Sequence, residues 1–201
     1  MIRIIFLIFL FLTVYLMNTK ENFNNILEIT SDSFEDGGMI TQKHACLEKG
    51  GSDILPHLYI KHPRNNDVKS YALLLEDLDA PHDRDTNWTH WVIPYISTLI
   101  DDNGNVTNEF TIPSINATDE KNISIGVEQR EFIQGVNSWD TIGYRGMCPP
   151  KNILHNYRLF VYALNTKIED CENCSRNSLI NRIQSNKLYS GSINFKFKSN
   201  K

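Results

Sequence analysis

Apolar residues along this chain fall in short runs divided by clusters of Gly, Pro, Asn and Asp. Leu58-Tyr59-Ile60 stops at the turn signal His62-Pro63-Arg64-Asn65-Asn66, and Asp101-Asp102-Asn103-Gly104-Asn105 reads as another turn. Tyr71–Leu75 and His90–Ile93 are continuously apolar, as strands buried on both faces should be. Ile123–Val127 and Ser192–Phe197 alternate between polar and apolar residues, and Tyr157–Leu164 is the longest strand candidate. The one convincing soluble helix is expected over Arg176–Lys187, where Leu179, Ile180 and Ile183 share a face and Ser175 or Asn177 can cap the start. Many strands at turn spacing and few helices predict a mainly β fold, an antiparallel β-sandwich or barrel-like domain with small peripheral helices.

The N-terminus departs from this pattern. After Arg3, residues Ile4–Met17 are almost wholly apolar, with no polar face for a surface helix. A positive start and a run of this length resemble a secretory signal, and the run is shorter than the ~20 residues that span a bilayer. Asn18-Thr19-Lys20 offers no small-residue cleavage site, so an uncleaved signal anchor is the competing expectation. The organisation expected is a signal peptide or anchor over 1–19, a polar linker over 20–35 and one domain over 36–201. The expected localisation is the secretory pathway, with the protein secreted or held at a membrane by its N-terminal apolar segment.

The full chain of 201 residues is long enough to bury a core without metal or disulfide staples. A net charge of -4 and the lack of a dense Lys/Arg run argue against nucleic acid as a partner. Phe195-Lys196-Phe197-Lys198 alternates like an edge strand with its lysines on the wet face. Cys46, Cys148, Cys171 and Cys174 form an even set that allows three full pairings. The lone CxxC at Cys171–Cys174 makes neither a tetrahedral zinc site nor a thioredoxin motif, so a structural role is expected. Glycosylation acceptor patterns at Asn87, Asn105, Asn116, Asn122 and Asn173 support an extracytoplasmic route weakly in so Asn-rich a chain.

The chemistry-bearing residues gather in two blocks beside the strongest strands. The first is Asp77-Leu78-Asp79-Ala80-Pro81 followed by His90-Trp91; the second is Gly143-Tyr144-Arg145-Gly146-Met147-Cys148-Pro149-Pro150 followed by His155-Asn156-Tyr157. Polar loops fixed to buried strands, with prolines for rigidity and glycines for close backbone approach, suit a small anion pocket. Histidines and amides would donate there, while the carboxylates orient the histidines.

These two blocks, with Gly135-Val136-Asn137-Ser138-Trp139 and Ile54-Leu55-Pro56-His57-Leu58, resemble the signature regions of the phosphatidylethanolamine-binding protein family, which includes the Raf kinase inhibitor proteins. The likeness runs from Asp36 to Phe197 and is strongest to the compact prokaryotic-type branch. It implies a β-sandwich with small flanking helices and a pocket for phosphate-bearing groups, phospholipid headgroups included. By motif position, Asp77, Trp88, His90, Gly146, Cys148, Pro150, His155 and Tyr157 would line the pocket, with Asp79 bracing the loop. Leu78 and Met147 stand where the family usually has proline, and the turn from Pro150 to His155 is brief. A kinase-regulating role does not carry over.

The expected function is therefore non-enzymatic binding of a phosphorylated small molecule or phospholipid headgroup, without cofactor or metal. Two other functions compete. One is an interaction protein, such as a protease inhibitor or signalling regulator, using loops such as Asp101–Glu109. The other is a hydrolase with Cys148 as nucleophile, His155 or His90 as base and Asp77 as orienter. Zinc binding by Asp77, Asp79, His82, His90 and His155 is weaker still, because no compact ligand spacing is present.

Overall fold

The computed structural model describes residues 26–80, 87–117, 122–125, 129–171 and 173–201. The N-terminal apolar run, Pro81 and His82 lie outside these residues. Among the described residues, ten strands form two sheets. One holds β1 (Glu28–Thr30), β3 (Leu58–Lys61) and β6 (Glu109–Ile112) in the order β1-β3-β6. The other joins β2 (Gly38–Met39), β4 (Ser70–Asp77), β5 (Trp88–Ser97), β7 (Asn122–Ile125), β8 (Arg130–Ile133), β9 (Leu154–Leu164) and β10 (Lys187–Lys198) in the order β2-β10-β9-β4-β5-β8-β7. Pairing is antiparallel except where β2 meets β10.

The fully buried run in β4 separates by period two into two cores. Tyr71, Leu73 and Leu75 join the larger core, with Leu58, Ile60, Phe110 and Ile112 of the smaller sheet. Ala72 and Leu74 face the opposite way, into a second core under helix α1 (Arg176–Ile183) with Leu179 and Ile183. This explains why no alternation is visible in Tyr71–Leu75: both faces of a central strand are covered. The helix starts where expected, with Ser175 accepting from the Ser178 amide, but it ends several residues before Lys187, which begins β10.

The expected linker over 20–35 needs correction in its described half. Leu27 and Phe34 are buried in the main core, and β1 pairs with β3. The Asn-rich composition hid two apolar anchors among polar neighbours. Among the described residues, no helix is long and apolar enough to cross a membrane.

Burial holds the rings of His44, His62 and His90 below the ordinary histidine range. The folded state therefore binds fewer protons at these rings than the unfolded chain does. Their contribution is complete above the unfolded value near 6.5 and is lost as pH falls from there toward the depressed folded values, at about 1.4 kcal/mol per tenfold change in proton affinity. We expect Tm to fall steadily from pH 7 to pH 5 in calorimetry; a flat profile over that interval would show that these rings are charged in the folded protein.

Candidate functional site

Strands β4, β5 and β9 bring the two sequence blocks to one end of the large sheet. Asp77 lies opposite Tyr157 on β9 and opposite Trp88 on β5. On the inward face of β9, His155 and Tyr157 continue the row of Leu159, Val161 and Ala163. A β-bulge sets the third element. Leu75 pairs with Trp91 but Glu76 pairs with Thr89, so His90 has no partner across from β4. Such an extra residue bends the strand and re-aims its side chain, and the His90 ring packs 5.4 Å from Tyr157 and 4.9 Å from Trp139.

Asp77 is the hub of the site and is buried. Its Oδ1 accepts from the amides of Asp79 (2.9 Å) and Ala80 (3.0 Å), and its Oδ2 accepts from His155 Nδ1 at 2.7 Å. His90 Nε2 stands 4.0 Å from the same oxygen, too far for a hydrogen bond. His90 Nδ1 lies 2.8 Å from the carbonyl oxygen of Arg145. A carbonyl can only accept, so the neutral ring carries its proton on Nδ1 and exposes a lone pair at Nε2. Burial lowers the proton affinity of His90, with the nearby Arg145 charge adding to it and Asp77 opposing it.

Three buried polar atoms at this end make no hydrogen bond of good geometry within the protein: His90 Nε2, Arg145 Nε and Tyr157 Oη, whose near acceptor is the Asp77 carboxylate. The Tyr157 phenol is held well above its ordinary range by burial and by the charge of Asp77, so it remains a donor. The Arg145 guanidinium lies 4.9 Å over the Trp139 ring and pairs with Glu48. Trp139 in turn meets Trp88 edge-on at 5.1 Å. The site thus combines one carboxylate, two imidazoles, a phenol and a guanidinium against an aromatic wall.

The remaining residues named from the sequence have different placements. Asp79 is exposed and braces the loops by accepting from Asn156 N and Nδ2, each at 2.7 Å; the bond from the Asn156 amide is the main cause of its lowered proton affinity. Gly146 donates its amide to Asp53 Oδ1 at 2.7 Å, and a Cβ there would fall 2.5 Å from His44 O and Ala45 C. Its role is to let two backbone segments touch. Pro150 is exposed and Pro149 buried. Cys148 requires a correction: it is joined to Cys46 in a disulfide and cannot serve as a nucleophile. Cys171 and Cys174 form the second disulfide. Cys46, Glu48 and Cys148 are also the one group of three metal-ligating side chains gathered among the described residues, and the bond between the two sulfurs uses up their ligand capacity.

Trp139, Arg145 and Asp53 are functional or supporting residues that sequence reasoning did not assign to the site. Trp139 and Arg145 lie inside the quoted motif blocks, so a signal was present. Nothing in the chain order pointed to Asp53, which lies 93 residues from its partner Gly146.

This arrangement defines a two-sheet β protein with a small, buried polar pocket at one end of its larger sheet. The family model for phosphatidylethanolamine-binding proteins matches residues 30–198, and the chain belongs to that family. It is of the prokaryotic type. It is 32% identical over 161 residues to a UPF0098 protein of Archaeoglobus fulgidus, covering 80% of this chain and 47% of the relative, so the chain spans about half the length of that protein. A UPF0098 protein of Pyrococcus horikoshii is 32% identical over 164 residues, 81% of this chain and 72% of its own length. The fold resembles the crystal structures of Escherichia coli YbcL (TM-score 0.66, 24% identity, 86% of this chain and 98% of that chain) and of a family homolog from Chlamydia trachomatis (TM-score 0.64, 24% identity, 87% and 99%).

Proposed function

We propose that this protein binds a phosphate-bearing small molecule or phospholipid headgroup, without catalysis, in the pocket around Asp77, His90, His155 and Tyr157. The observation that carries the reading is the set of buried polar atoms on His90, Tyr157 and Arg145 that make no hydrogen bond of good geometry within the protein. Buried groups of this kind are costly unless something completes them. Arg145 Nε can only donate, the protonated Tyr157 phenol can donate, and His90 Nε2 becomes a donor once protonated, so the oxygens of an anion would complete all three. The Cys46–Cys148 bond removes the one nucleophile that a hydrolase reading had invoked. Both disulfides also favour an oxidising, extracytoplasmic location, in keeping with the apolar N-terminus.

The tautomer argument sets the pH dependence. A neutral His90 presents a lone pair to the ligand, which repels phosphate oxygens, whereas the imidazolium presents a proton. Bound anion raises the proton affinity that burial had lowered, so binding takes up a proton. Titration calorimetry with inorganic phosphate and with phosphoethanolamine should therefore give tighter binding at pH 6 than at pH 8. The ring signals of His90 and His155 should shift in parallel. No shift at millimolar ligand would reject the pocket, and tighter binding at pH 8 would reject His90 as a donor.

A further inference from the structure

We propose that the surface flanking the pocket, formed by Met39, Leu47, Lys151, Ile153, Leu154, Lys196 and Lys198, docks on an anionic lipid bilayer. This rests on the headgroup reading of the pocket and names where its ligand would be met. The large apolar side chains exposed on this protein include Met39, Leu47, Ile153 and Leu154, at 55%, 69%, 50% and 45% exposure. Their placement brings them together. Met39 lies opposite Lys196 across β2 and β10, and Lys196 lies opposite Asn156 on β9. Two residues on, Lys198 lies opposite Leu154. Phe195 and Phe197 point into the core, so by strand alternation Lys196 and Lys198 share the outer face. Met39 and Leu154, their cross-strand partners, are exposed on that face with them.

Leu47 reaches the same end by a different route. The Cys46–Cys148 bond ties its short 3-10 turn to the loop that continues through Lys151 and Ile153. Lys151 bridges to Ser199, and the Lys201 side chain lies against Gly50. Lys49, Lys151, Lys196, Lys198 and Lys201 are thus placed among these apolar groups in a chain whose net charge is -4. Carboxylates also lie nearby: Glu48 is paired with Arg145, whereas Asp79 and Asp36 accept only from the neutral Asn156 and Asn194 and, like the exposed Glu35, keep their charge, so the lysines outnumber rather than replace them. Exposed aliphatic side chains ringed by lysines match the two terms of interfacial binding, apolar insertion and attraction to acidic headgroups. The patch lies at the pocket's end of β9: Leu154 immediately precedes His155, and the two side chains point to opposite faces of the strand.

The test uses the full chain, with vesicles of phosphatidylcholine alone or mixed with phosphatidylglycerol, each carrying a photoactivatable phospholipid. Residues 1–25 are the same in every variant, so the differences between variants report on the domain surface. Crosslinks mapped by mass spectrometry should fall on 38–39, 47–49, 151–154 and 196–198, and should increase with phosphatidylglycerol. They should weaken in high salt. Lys196→Glu with Lys198→Glu should reduce crosslinking at these positions by about 20-fold or more, since each lysine at an acidic surface contributes about fivefold. Leu154→Asp with Ile153→Asp should reduce it as well. These positions are exposed, and retained phosphoethanolamine binding would show each variant folded. Equal crosslinking to neutral and anionic vesicles, crosslinks elsewhere on the domain, or indifference to both variants would overturn the docking surface. Loss of phosphoethanolamine binding in the wild-type protein with the crosslinks intact would overturn the pocket reading and leave the surface standing.

Discussion

Breaking the Cys46–Cys148 disulfide is expected to lower the stability of this protein by about 3–5 kcal/mol. The two residues are 102 apart in sequence, and closing a loop of that length removes entropy from the unfolded chain worth about 4.7 kcal/mol in the chain-entropy account. The second disulfide, Cys171–Cys174, has a separation of only 3 and should contribute less than about 2 kcal/mol on the same basis. The paired variants Cys46→Ala/Cys148→Ala and Cys171→Ala/Cys174→Ala therefore make a controlled comparison. The first should lower Tm by roughly 10 °C, given about 2–4 °C per kcal/mol for a domain of this size, and the second much less. Equal losses would mean that loop length is not what the bonds contribute. Local effects should differ too. Cys148 closes the wall that begins at Gly146 and Met147, and Ala45 is bridged to Met147 beside it. Loosening this tie should weaken phosphate binding even where the fold survives.

Replacing Asp77 with alanine is the second large effect. The substitution leaves the buried His155 Nδ1 and the partly buried amides of Asp79 and Ala80 without their acceptor. Each buried donor left unsatisfied costs about 1–3 kcal/mol, and breaking a buried charged network typically costs about 3–5 kcal/mol in total. Urea unfolding should show a loss in that range, with His155 no longer held in place and its ring signal broadened or moved. Asp77→Asn separates charge from shape: it keeps an acceptor for the turn amides and should lose only about 1–2 kcal/mol. A loss below 1 kcal/mol for Asp77→Ala would mean that the carboxylate is not the organising group of the site.

The contrast between Asp77 and His90 shows how far the site could be read in advance. Asp77 follows from the motif and from the end of an apolar strand, and its strand position places it in line with Leu73 and Leu75. His90 follows from the motif alone. Its inward aim depends on a bulge that breaks the period of two, and a bulge is set by pairing between strands rather than by local composition. Cys148 illustrates the opposite limit. Its residue type suits a nucleophile, a ligand or a cross-link, and only its distance from Cys46 decides among them. Trp139 and Arg145 were visible within a motif block, yet their contact with each other and with His90 is purely tertiary.

By itself, the chain's pattern of apolar runs and turn residues determined a mainly β domain, its central strands, its one capped helix and the family whose motif blocks it carries. These are local properties, because side-chain period and turn chemistry act over a few residues. Tertiary structure alone decided the cysteine pairing, the burial of Leu27 and Phe34 in an apparent linker, the tautomer of His90 and the grouping of lysines with exposed aliphatic side chains. Each of those depends on which distant segments meet, and on what a buried polar atom finds when water has been excluded.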